Sequence, residues 1–264
     1  GPHQVTVTDV TTGCIDVAMV ILDEPTVLLA IIDSVDTNSC FGGIEGVAYA
    51  SATGGTTPYT YTWPNGDLTA TADTLAAGSY LVTITDANGC SDTATAVITE
   101  PATGLSVIAT VDSNVTCFGF NNGGISAVAS GGSGAYTYTW TGGLVGATHT
   151  GLIAGTYIVT VSEGGACEAL DTVTVIEPTQ LTGTSTETQS ITCTGTGNDG
   201  ELTAAGTNGT GTYTYEWSNS VFTDVNSGLS AGTYTVTITD ANNCFIIIED
   251  TLLNPVGCLL YTSP

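Results

Sequence analysis

The sequence predicts an all-β chain, a tandem array of immunoglobulin-like β-sandwich domains of about 77 residues with one disulfide per repeat. Three observations carry this prediction. Landmark residues recur at one fixed interval, short runs alternate apolar residues with threonine, and the cysteines fall into two separate periodic series.

The interval is set by several markers. TITDANGC at 83–90 returns as TITDANNC at 237–244, with VTVSEGGAC at 159–167 and VTVTDVTTGC at 5–14 as relatives. Their last cysteines, Cys14, Cys90, Cys167 and Cys244, are spaced 76, 77 and 77 residues, and the second series, Cys40, Cys117 and Cys193, is spaced 77 and 76. Trp63, Trp140 and Trp217 keep the interval, as do Tyr80, Tyr157 and Tyr234. Glu-Pro pairs at 24–25, 100–101 and 177–178, with Asn254-Pro255 in the fourth place, follow strand-like runs and read as short, semi-rigid joints. Three whole repeats result, at 26–101, 102–178 and 179–255. Residues 1–25 read as the end of a truncated preceding repeat and 256–264 as a tail or the start of a further segment, so the chain is expected to be a window from a longer array.

Within the first repeat, Tyr59, Tyr61 and Trp63 alternate with threonine, and Tyr80, Val82 and Ile84 alternate with Leu81, Thr83 and Thr85. Turn signals at Gly54-Gly55, Pro64-Asn65-Gly66, Ala77-Gly78 and Asn88-Gly89 separate the runs. Six or seven strands follow, at 26–35, 44–52, 58–63, 67–74, 79–86 and 91–98. The tryptophans are expected to plug the cores, with Tyr80, Tyr157 and Tyr234 as further core markers, and Tyr80 in Gly78-Ser79-Tyr80 resembles the aromatic of a tyrosine corner.

The cysteines call for an oxidising compartment. If consecutive strands are antiparallel, Cys40 and Cys90 lie in turns at the same end of one sandwich. That predicts Cys40–Cys90, Cys117–Cys167 and Cys193–Cys244. The competing scheme, Cys90 with Cys117, would join like ends of adjacent domains, roughly 35–45 Å apart for ordinary strands, whereas a disulfide needs Cα atoms within about 7 Å. Cys14 would pair in the truncated repeat, and Cys258 breaks the spacing.

Composition excludes several functions. The chain has no lysine or arginine, 25 acidic residues and a formal net charge of -25. Nucleic-acid binding and adhesion through a polybasic patch both lack their cations. No apolar run reaches 18 residues, so no membrane insertion is expected. Residues 1–10 lack the pattern of a signal peptide. The two histidines, His3 in a strand and His149 in a loop, do not recur between repeats, and no catalytic residue is assigned.

The strings CFGG at 40–43, GGTTPYTYTWPNG, LAAGSYLVTITDANGC and ITEP resemble the SprB-type repeat of Bacteroidota gliding-motility adhesins and related giant cell-surface proteins. CFGFNNGGISAVASGGSGAYTYTW and AGTYIVTVSEGGAC extend the resemblance through the second repeat, and AGTYTVTITDANNC into the third. The third repeat departs from it at Thr194-Gly195, and the tail after Pro255 does not resemble a repeat. The resemblance implies a very long, secreted, surface-exposed protein exported by the type IX system, whose repeats form a stalk or fibre without catalytic residues or a required cofactor.

Three candidate sites remain. Calcium takes 6–8 oxygen ligands. Asp36, Asn38, Asp86 and Asn88 would meet beside the first disulfide, Asp112, Asn114 and Glu163 beside the second, and Asp199, Asp240 and Asn242 beside the third. Asp and Asn also serve simply as turn residues. Asp-Ser/Thr-aliphatic triplets, a pattern associated with Bacteroidota O-glycosylation, mark Ser34, Thr74, Thr93, Thr172 and Thr251. Asn114-Val115-Thr116 and Asn208-Gly209-Thr210 carry the weaker N-glycan pattern. Runs apolar on both faces, at Val17–Leu22, Val27–Ile32 and Phe245–Ile248, need cover from neighbouring repeats or from other copies laterally. The functions in view are an adhesin stalk, an extracellular filament joined through those strands and, more weakly, a carbohydrate-binding module.

Overall fold

A computed structural model describes residues 1–164, 167–192 and 197–254. Their strands are β1 Pro2–Thr8 and β2 Ile15–Ile21, then six per repeat. The first repeat has β3 Leu29–Asp36, β4 Gly46–Thr53, β5 Thr60–Thr62, β6 Thr71–Leu75, β7 Gly78–Thr85 and β8 Ser91–Ile98. The second has β9 Ser106–Ser113, β10 Gly123–Ser130, β11 Thr137–Trp140, β12 Thr148–Leu152, β13 Gly155–Ser162 and β14 Glu168–Val175. The third has β15 Thr182–Gln189, β16 Gly200–Thr207, β17 Thr214–Trp217, β18 Val225–Leu229, β19 Gly232–Thr239 and β20 Phe245–Leu252.

Each repeat folds as two three-stranded antiparallel sheets, β3-β4-β6 with β5-β7-β8 and their counterparts. This is the immunoglobulin arrangement of first, second and fifth strands against third, sixth and seventh, with one edge strand missing. The residues group into two compact units: 1–106, 130–136 and 162–169 form one, and 107–129, 137–161 and 170 onward form the other. The first unit therefore takes in the whole first repeat together with one end of the second.

Period-2 alternation builds the cores. In the first repeat Ala48, Ala50, Trp63, Ala72, Leu75, Val82, Ile84, Ala96 and Ile98 are buried together, and in the third Leu202, Ala204, Trp217, Leu229, Val236, Ile238 and Leu252. A tryptophan is fully buried only when its indole N–H finds an acceptor. Trp63, Trp140 and Trp217 donate to the carbonyls of Thr69, Gly146 and Thr223, at 3.0, 2.9 and 2.9 Å. Tyr80, Tyr157 and Tyr234 donate to Ala76, Ile153 and Ser230, four residues back, at 3.1, 3.0 and 3.0 Å, which is the tyrosine-corner bond. His149 lies in β12, not in a loop, and packs edge-on against Trp140.

The path from β5 to β6 decides where the cysteines go. β4 runs antiparallel to β3 and β6, and β7 runs antiparallel to β5 and β8. β3 and β8 run the same way, because Ala30 meets Asp92 where both begin and Asn38 meets Thr99 where both end. It follows that β5 and β6, consecutive in sequence, also point the same way. The segment between them, pinned by the Trp63 indole bond to Thr69, crosses between sheets without reversing direction. Cys40, after β3, and Cys90, between β7 and β8, therefore lie at opposite ends of the sandwich.

Two positions of the first repeat depart from its neighbours. Asn38 is 3% exposed with its amide unpartnered, where the other repeats bury Val115 and Ile191. Thr74 has φ 57, where they place Gly151 and Gly228 at φ 74 and 72. An unsatisfied buried amide costs about 1–3 kcal/mol, and a left-handed β-branched residue costs a similar amount. Asn38→Val and Thr74→Gly are each expected to raise stability by about 1 kcal/mol or more, read as a higher urea midpoint in calcium-free buffer.

Candidate functional site: the cysteine joints

In the first two repeats the loop after the first strand is a tip that a Glu-Pro carboxylate holds. In the first repeat Gly43 N–H donates to the Cys40 carbonyl at 3.0 Å, closing the turn Cys40-Phe41-Gly42-Gly43, with Gly42 at φ 74. Glu100, of the Glu-Pro pair, accepts from Gly42 N–H at 2.6 Å. Glu45 accepts from Ser39 N–H and Ser39 Oγ, both at 2.7 Å, and from Cys40 N–H at 3.3 Å. Those bonds, the Ser39 hydroxyl first, hold its carboxyl at about 2. In the second repeat Phe120 N–H donates to the Cys117 carbonyl at 3.0 Å, and Glu177 accepts from Gly119 N–H at 2.7 Å. There Asn122 takes the place of Glu45 and binds Thr116 N–H and Oγ1. In the third, Asp199 binds Thr192 in the same way, and its carboxyl is lowered by the Thr192 hydroxyl and then its N–H.

The loop between the last two strands forms a socket. Asp86 accepts from Asn88 N–H and Cys90 N–H with one oxygen and from Thr56 N–H with the other, each at 2.9 Å. These bonds, Thr56 foremost, lower its carboxyl. Asp240 repeats the pattern with Asn242, Cys244 and Thr210. Glu163 stands in the equivalent place of the second repeat and accepts from Ser133 and Gly134 N–H at 2.7 and 2.9 Å.

Tip and socket are joined across repeats. Cys40 is bonded to Cys167 and Cys117 to Cys244, with Cα–Cα distances of 5.5 and 5.6 Å and a sequence separation of 127 in both. The expected Cys40–Cys90 and Cys117–Cys167 bonds are thus replaced by bonds to the following repeat. The strand directions give the reason: the tip end of one sandwich adjoins the socket end of the next. Cys244 is bonded to Cys117, so the expected Cys193–Cys244 bond does not form, and Cys193 and Cys258 lie outside the described residues. Cys14 and Cys90 are free and exposed. The socket surface also carries the tip's phenylalanines. Phe41 lines a cleft with Gly104, Leu105 and Cys167, and Phe118 and Phe120 line one with Leu181, Cys244 and Phe245. Asn242 Nδ2 donates to the Thr116 carbonyl at 3.0 Å, tying the second tip further to the third repeat.

The other sequence-marked groups are distributed by the same geometry. Asp36 and Asn38 lie at the tip end of their sandwich and Asp86 and Asn88 at its socket end, so the four do not meet. Asp36 accepts from Tyr49, Asp112 from Ser126 Oγ, and Asn114 from Ile176 N–H. Asn38, Glu100 and Glu163 do share a cleft, and the Asn38 side-chain amide and the Glu163 Oε2 have no hydrogen-bond partner there. Among the described residues no three His, Cys, Asp or Glu side chains converge as a metal-holding group. Ser34, Thr74, Thr93, Thr172 and Thr251 are all exposed. Asn208 donates to Thr182 Oγ1 at 3.0 Å. Sequence reasoning missed the roles of Glu45, Glu100, Glu163 and Glu177. The recurrence of the Glu-Pro glutamate was a signal for two of them.

Comparison with known families places the SprB repeat on residues 33–68, 109–145 and 185–222, so the chain carries three SprB repeats. No curated protein matches the chain. Among solved structures it is similar to the N-terminal eight Ig domains of Down Syndrome Cell Adhesion Molecule, at 10% identity and a TM-score of 0.31, covering 96% of this chain and 51% of that one. The chain thus spans about half the length of that relative. It is also similar to a tetra-tandem repeat from the extending region of a large adhesion protein, at 16% identity and a TM-score of 0.26, covering 95% and 81%. A third is protocadherin gamma B7 cadherin domains 1–4, at 12% identity and a TM-score of 0.26, covering 87% and 72%.

Two outcomes follow from the joint. Cys117→Ser leaves the Cys244 thiol titratable and removes a staple worth about 5 kcal/mol in the chain-entropy model, so urea unfolding is expected at a markedly lower midpoint. Glu45 is held below its usual value of 4.5 in the fold, so its contribution is present above pH 4.5 and lost as pH falls towards about 2. Protection factors of the Ser39 and Cys40 amides, exchange rates corrected for the intrinsic pH dependence, are expected to fall over that window in the native chain and to be low throughout in Glu45→Gln.

Proposed function

We propose that these three SprB repeats are a structural stalk segment of a long adhesin on the outer cell surface, of the gliding-motility type exported by the type IX system, with adhesion carried elsewhere. The observation behind the stalk reading is the covalent bond from the first and second tips to the repeat that follows. A stapled joint resists bending and local opening, which a stalk needs and a catalyst does not. Disulfides also fit an oxidising, extracellular setting. Catalysis is given no residues. Electron microscopy of native material is expected to show single threads whose contour grows more flexible after reduction. Ordered fibres with fixed lateral contacts would contradict the stalk.

The filament reading has one observation in its favour. Phe245 and Ile247 on β20 are 64% and 63% exposed, and Val17, Met19 and Ile21 on β2 are also exposed. Apolar strand faces of that kind suit lateral pairing with other copies. Two additions to the stalk are proposed with it. The exposed hydroxyls at Ser34, Thr74, Thr93, Thr172 and Thr251 suit O-glycosylation, and an intact mass of native protein above the sequence mass is expected. Calcium is proposed at the candidate ligands Asn38 and Glu163, which line one cleft, and millimolar calcium is expected to raise the melting temperature over chelator. A sequence mass in the first case and an unchanged melt in the second would remove each proposal.

A further inference from the structure

Cys90 is a socket cysteine without a tip. Its backbone is already held as in an occupied socket: Asp86 binds the N–H groups of Asn88, Cys90 and Thr56 as Asp240 binds those of Asn242, Cys244 and Thr210. Asn88 donates to Thr56 Oγ1 as Asn242 donates to Thr210 Oγ1, and Asn242 uses the same nitrogen to hold the Thr116 carbonyl of the incoming tip. The apolar floor is present as well. Gly104 and Leu105 line the cleft that holds Phe41, and their counterparts one repeat earlier, Val27 and Leu28, line a cleft of about 300 Å³ with Gly55, Asp86 and Cys90. Val27 is 88% exposed there. The equivalent site is filled twice in this chain, each time by a cysteine tip and each time with a disulfide.

We infer that the Cys90 cleft is an acceptor site for the Cys-Phe-Gly tip of a further SprB repeat, one outside residues 26–255, and that Cys90 bonds covalently to its cysteine. The occupant follows from the filled sockets: a ring to cover the exposed Val27, a thiol for Cys90 and, as at Asn242, a carbonyl for Asn88. Bond formation removes two protons and two electrons from the thiol pair. An external disulfide of the thiol–disulfide oxidoreductase class accepts them and becomes two thiols. The inference concerns how arrays are joined and holds for a stalk or a filament alike.

The test uses the whole chain and a synthetic peptide of residues 36–46, its cysteine activated as a mixed disulfide with thionitrobenzoate. The Cys90 thiolate attacks the peptide sulfur, the new disulfide forms, and thionitrobenzoate leaves as the coloured thiolate. Labelling at Cys90 and at the exposed Cys14 is followed by mass spectrometry, each rate divided by that cysteine's rate with Ellman's reagent. Docking before exchange is expected to favour Cys90 over Cys14 by about ten-fold or more, and a Phe41→Ser peptide is expected to lose that advantage. Equal normalised rates at the two cysteines, or a Cys90 preference indifferent to the phenylalanine, would overturn the inference.

Discussion

The disulfide from one repeat's tip to the next repeat's socket is the interaction on which the rest of this structure depends. A sandwich of about 77 residues buries a modest core and is marginal alone. An internal staple would strengthen each domain but leave the joint to a short Glu-Pro segment. A staple across the joint closes a loop through parts of two sandwiches, its cysteines 127 positions apart, and so couples the opening of one repeat to that of the next. It also accounts for the compact unit that takes in the first repeat and one end of the second.

Charge explains how the joint is shaped. With 25 acidic side chains and no lysine or arginine, carboxylates have only N–H and O–H donors to meet. Several are spent on backbone amides of the loops that carry cysteine. Glu100 and Glu177 fix the tip glycines, Glu45 fixes Ser39 and Cys40, and Asp86 and Asp240 fix the socket turns. Asp92 and Asp171 reach across to Ala30 and Ala109 at the start of the first strand. At Glu45, Asp86, Asp92 and Asp171 these bonds lower the carboxyl below its usual range, so their contribution is present above that range and lost in acid.

Much of this was legible in the sequence. The interval, the alternation and the recurring tryptophan and tyrosine define the repeat, because burial and hydrogen bonding act at fixed positions within each unit. The cysteine pairing was not legible. It turns on whether the chain reverses between β5 and β6, and a short arch around Trp63 reads like a hairpin from composition alone. That one unseen non-reversal moves Cys90 to the far end of the sandwich from Cys40. The same change separates Asp86 and Asn88 from Asp36 and Asn38. Asn38 was marked as a candidate ligand by residue type, whereas its place in an apolar slot shows only by comparison with Val115 and Ile191.

The central claim is best tested by mapping the disulfides of the intact, unreduced protein. The chain has no tryptic site, so cleavage at its acidic residues followed by mass spectrometry is the suitable route. The account predicts one linked peptide pair containing Cys40 and Cys167 and another containing Cys117 and Cys244. Recovery of Cys40 joined to Cys90, or of Cys117 joined to Cys167, would contradict it.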